Sequence, residues 1–131
     1  MVKVEVKFLE KDKFEVSADT TGTKFCVDKK HDEYDSSGPN PLEVFLSSLG
    51  SCVGVFAKMY LVRHSIAFKE LRMEVNAELS HDRPRRLINI KVKVHTDAVL
   101  EGKREPFMKF IEACPIHSTI INTDKVDIEV A

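Results

Sequence analysis

The sequence predicts an α+β fold in which antiparallel sheets carry one long buried central helix. Three observations predict it. Strands come in runs instead of alternating with helices, in the order βββ-α-ββ-αα-β. The longest strands have one apolar and one polar face, as an antiparallel sheet covered on one side requires. A single helix candidate has so few charges that it must be buried nearly all round. The 131 residues suit one domain, 1–131.

The first strand follows from Val2, Val4, Val6 and Phe8 alternating with Lys3, Glu5 and Lys7. A turn at Lys11-Asp12-Lys13 leads to Phe14, Val16 and Ala18, and Thr21-Gly22 turns again into Lys24-Phe25-Cys26-Val27. Asp28 to Asn40 is rich in charged and turn-forming residues and reads as a surface loop. Asn40 then suits an N-cap, Pro41 the first helical position and Glu43 the third residue of a capping box. This helix should run to about Arg63 or His64.

Leu71, Met73, Val75, Ala77 and Leu79 define the next strand, and Ile88, Ile90, Val92 and Val94 its hairpin partner. His81-Asp82-Arg83-Pro84 turns between them. Helices are expected from about Arg104 to Ala113 and from Cys114-Pro115 to about Ile121. Val126, Ile128 and Val130 mark a closing strand.

Composition narrows the function. Twenty basic and twenty-one acidic residues leave a net charge of -1, which gives nucleic acid or an anionic membrane no electrostatic hold. No apolar run is expected to reach the roughly 18 residues of a membrane span, and the charged alternation after Met1 is no signal-peptide core. A cytoplasmic protein is expected. Three cysteines in such a chain argue for reduced or catalytic thiols over a disulfide framework.

Cys52 lies amid Ser47-Ser48-Leu49-Gly50-Ser51 and Val53-Gly54, small residues that admit a close neighbour or ligand; taken alone it reads first as a small core hydrophobe. Cys114 precedes Pro115 and should N-cap the next helix, where unpaired N–H groups and the helix dipole can lower a thiol's pKa. His117 could add a donor or a positive charge; a purely structural cap is the other reading. Cys26 reads as sheet filler. The histidines at 31, 64, 81, 95 and 117 show no metal-ligand spacing, and a site built from Cys52, Cys114 and His117 lacks a fourth ligand. No metal and no cofactor is expected. Arg83-Pro84-Arg85-Arg86 reads as a solvated hairpin edge.

Gly38-Pro39-Asn40-Pro41-Leu42-Glu43-Val44-Phe45-Leu46 leading to Gly50-Ser51-Cys52, followed by Cys114-Pro115-Ile116-His117, resembles the OsmC/Ohr family, its OsmC-like branch above all. The resemblance implies an intertwined homodimer that reduces organic hydroperoxides, and hydrogen peroxide beside them, without metal or flavin. It implies Cys52 as attacking thiol and Cys114 as resolving thiol, with regeneration by a dithiol reductant, either a lipoyl protein or a thioredoxin-like one.

Two features depart from the family's peroxidases. Their N-terminal Arg has no counterpart, because no Arg precedes Arg63. Their helix Glu falls on Leu42, with Glu43 next to it. At about 100° per residue, Glu43 projects roughly 180° from Cys52 on a straight helix, so Glu43 is expected to serve first as a cap. The alternative to catalysis is the same dimeric scaffold holding a hydrophobic small molecule against Phe45, Phe56 and Met59.

Overall fold

The computed structural model describes residues 1–29 and 36–131. The expected loop residues from Lys30 to Asp35, His31 among them, lie outside the described residues. The elements are β1 (Val4–Glu10), β2 (Lys13–Ala18), β3 (Lys24–Asp28), α1 (Pro41–Arg63), β4 (Leu71–Leu79), β5 (Leu87–Thr96), α2 (Arg104–Glu112) and α3 (Pro115–Asn122). They form an α+β protein with antiparallel sheets and one long helix. Two compact units are present, Met1–Leu46 and Ser47–Ala131.

In the first unit β1, β2 and β3 make an antiparallel meander, with Val6 opposite Val16 and Val16 opposite Phe25. Phe8 and Phe14 meet edge to face at 5.5 Å. Val4, Val6 and Phe8 nonetheless remain exposed. After β3 the chain is tied by the buried Asp28. Its Oδ2 accepts from Ser37 N and Ser37 Oγ, both at 3.0 Å, and its own N–H donates to Pro39 O at 3.0 Å. Gly38 passes so close to Cys26 that any Cβ would land on the Cys26 carbonyl, so this position demands glycine.

The start of α1 is the capping box expected from Asn40, Pro41 and Glu43. Glu43 N donates to Asn40 Oδ1 at 2.9 Å, and Asn40 N donates back to Glu43 Oε1 at 3.0 Å.

The second unit is built on the β4–β5 hairpin, in which Met73 pairs with Val94 and Val75 with Val92. Ser80 is buried at the hairpin's end, where its Oγ accepts from Arg86 N at 3.0 Å. Leu49, Val53, Ala57, Tyr60 and Leu61 of α1 join Phe107 and Ile111 of α2 and Cys114 in the core. Gly50 and Gly54 bring α1 against β4: a Cβ at Gly50 would come within 2.8 Å of Val75 Cγ2, and one at Gly54 would strike the end of Met73.

Three expectations need correction. Val126–Val130 forms no strand. Its alternating pattern is real, but a strand also needs a hydrogen-bonding neighbour, and Val126, Ile128 and Val130 are 77, 89 and 97 % exposed. The burial of α1 is one-sided within the chain, since Val55 and Val62 are exposed. Finally, α1 is by length and composition apolar enough to cross a membrane, because its serines and glycines interrupt the apolar run without adding much polarity.

Candidate functional site

The site is built where α1 meets α2. Tyr60 touches Phe107 with ring centroids 5.3 Å apart, and Phe56 touches Phe110 at 5.5 Å. Moving back along α1 from Tyr60 to Phe56 therefore moves forward along α2, so the two helices run antiparallel here. One more turn in each direction reaches Cys52 and Cys114, because residues four apart share a helix face. That places Cys52 beside Cys114, near enough for its side chain to help raise the Cys114 pKa. Both thiols are free.

Cys114 occupies the N-cap of α3, as its position before Pro115 predicts. Its backbone is extended, with φ -62° and ψ 143°, and its Sγ accepts from His117 N at 3.4 Å. The corner between the helices is closed by Cys114 N donating to Ile111 O at 3.3 Å and by Ser118 N donating to Cys114 O at 3.0 Å.

The electrostatics correct the expectation of a stabilised thiolate. Cys114 is fully buried, and loss of water raises its pKa above the ordinary thiol value. The His117 N–H opposes this, while the neighbouring Cys52 raises the pKa further. Burial wins over the cap. Cys52 is the more exposed of the two residues.

His117 also donates from ring Nδ1 to Glu112 O at 2.7 Å; a carbonyl oxygen can only accept, so the proton sits on Nδ1. Arg63 lies over the Phe110 ring with Cζ 5.8 Å from its centroid. Phe56 packs against Phe110 and the core. Met59 is half-buried, Phe45 is 41 % exposed, and Glu43 closes the capping box. Cys26 sits half-buried on β3 opposite Glu15, in the sheet as expected. Among the described residues no three His, Cys, Asp or Glu side chains are grouped to hold a metal.

An open-mouthed cavity of about 910 Å³ lies in the second unit, between β5, α1, α2 and α3, with His117 on its wall. Phe45, Phe56 and Met59 do not line it. Sequence reasoning missed both this cavity and the aromatic row. The row had a readable signal in the spacing Cys52, Phe56, Tyr60 and Phe107, Phe110, Cys114, which keeps one face on each helix. The cavity had none, because it depends on how four elements meet.

A family model of OsmC-like proteins matches residues 33–129. The chain belongs to the OsmC-like protein family. No curated protein matches it by sequence. Among solved structures, the OsmC-like protein of Mycoplasma pneumoniae superposes with a TM-score of 0.74 at 21 % identity, over 93 % of this chain and 88 % of that one. A hypothetical protein of Aquifex aeolicus gives 0.77 at 18 %, over 92 % and 87 %. The organic hydroperoxide resistance protein OhrB of Bacillus subtilis gives 0.64 at 18 %, over 93 % and 92 %. At these identities the neighbours establish the OsmC fold.

Proposed function

We propose that this OsmC-like protein is a cytoplasmic, homodimeric thiol peroxidase that reduces organic hydroperoxides through Cys52 and Cys114. The nearness of Cys52 to Cys114, one turn beyond the Phe56–Phe110 pair on each side, carries the reading. Support comes from family membership and from the similarity to proteins described as organic hydroperoxide resistance proteins.

The partly open Cys52 is the group a peroxide can reach. Its thiolate attacks the outer peroxide oxygen, the O–O bond breaks, and Cys52 becomes a sulfenic acid as the alkoxide takes a proton and leaves as an alcohol. Cys114 then attacks the sulfenic sulfur, giving a Cys52–Cys114 disulfide and water. Cys114 attacks as its thiolate, and although the raised pKa lowers that fraction, the sulfenic acid forms beside it and needs no diffusion. A dithiol reductant, lipoyl or thioredoxin-like, returns both cysteines to thiols and leaves as a disulfide.

The decisive experiment follows alkyl hydroperoxide consumption with a dithiol reductant in the wild type and in Cys52→Ser and Cys114→Ser. Loss of turnover in Cys52→Ser, with sulfenic acid accumulating on Cys52 in Cys114→Ser, is expected. Full turnover in both variants overturns the reading.

A further inference from the structure

The cavity between β5, α1, α2 and α3 is not used by the thiol chemistry, since neither Cys52 nor Cys114 lines it. Its walls are mostly apolar, with Leu49, Val53, Val92, Ile111, Ile120 and Phe107 among them. A space of about 910 Å³ lies within the range of small-molecule sites, and such sites pair an apolar lining with a few placed polar groups.

The polar groups here narrow the occupant. Lys93 and Arg104 are offset by Glu101 and Glu112, so the lining charges balance and favour neither a carboxylate nor an ammonium ligand. His117 is a polar wall group with one ring nitrogen already engaged. With Nδ1–H bonded to Glu112 O, Nε2 is the ring nitrogen left for a ligand, and in this tautomer it is a hydrogen-bond acceptor. A complementary ligand brings an O–H donor and an aliphatic body, and has no charge.

We propose that this cavity is a binding site for a long-chain aliphatic alcohol, whose hydroxyl donates to His117 Nε2 while its chain lies among Val53, Val92, Ile111 and Ile120. The site is independent of the peroxidase reading. It also adjoins the thiol pair, because the same residue donates its backbone N–H to Cys114 Sγ.

The test titrates 1-decanol into isotope-labelled protein at pH 8 and follows methyl and imidazole resonances, with decane, decanoate and decylamine as comparisons. Saturable shifts at Val92, Ile111, Ile120 and the His117 ring are expected, with decanol binding tightest of the four. His117→Phe should weaken decanol about tenfold, the loss expected for one hydrogen bond, and His117→Gln, whose amide oxygen also accepts, should recover most of it. Absence of saturable shifts in the wild type overturns the site. Tighter binding of a charged or headless analogue, or undiminished affinity in His117→Phe, overturns the assigned head group. Because these readouts do not involve peroxide, they fail or succeed separately from the turnover assay.

Discussion

Phe56 and Phe110 stand 5.5 Å apart, centroid to centroid, one helical turn from each cysteine of the candidate pair. That contact sets the register of α1 against α2 and so decides which side chain Cys114 faces. Truncation of Phe110 should cost about 3 kcal/mol of stability, the lower end for a large aromatic since this ring is only partly buried. Urea unfolding measures the loss. Disulfide formation in Phe110→Ala, followed by intact mass after a peroxide pulse, should be slower than in the wild type. An unchanged rate would mean that the ring does not position the sulfurs.

Gly50 and Gly54 separate two ways of meeting β4. Alanine is ordinarily better than glycine in a helix by about 1 kcal/mol. At Gly50 the new methyl meets the stiff, β-branched Val75, so Gly50→Ala should be destabilising by about 1–2 kcal/mol. At Gly54 it meets the movable end of Met73, so Gly54→Ala should be close to neutral. Val75→Ala in the Gly50→Ala background should return part of the loss, which a double-mutant cycle measures.

Glu43 offers a test of cap against catalyst. Glu43→Gln keeps an oxygen to accept from Asn40 N while removing the charge, so stability and peroxide turnover should both stay near wild type. Asn40→Ala should cost about 1 kcal/mol by thermal or urea unfolding. A large fall in turnover for Glu43→Gln, at unchanged stability, would assign the carboxylate a chemical role instead.

Two ionisable groups should shape the pH dependence of stability in opposite directions. Asp97 accepts from Glu70 N and Lys69 N, and these bonds lower its pKa from 3.8. Its contribution is present above the unfolded pKa and is lost as pH falls through the lower folded one, so Asp97→Asn should flatten the acid limb. The raised Cys114 pKa works the other way. Its contribution is full below the unfolded value, near 9.0, and is lost as pH rises through the folded one. Cys114→Ala should flatten the alkaline limb in urea titrations run under reducing conditions.

Features fixed by neighbours in the chain were legible in the sequence. The Asn40–Glu43 cap, the β4–β5 hairpin and the placement of Cys114 before Pro115 each depend on a few adjacent residues, and each is found. Features fixed by distant surroundings were not. The pKa of Cys114 follows from desolvation by α1 and α2, which no local motif encodes, so a cap that favours a thiolate is overruled. Val126–Val130 carries a strand's alternation, but its state depends on an edge that the described residues of one chain do not supply.

The unequal exposure of the cysteines makes Cys114 a natural clock. A thiol-labelling reagent can reach Cys26 and Cys52 from solvent, whereas Cys114 must wait until the corner of α2 and α3 lifts off α1. The slow phase of such a labelling trace therefore times a local opening that spectroscopy of the whole fold would average away.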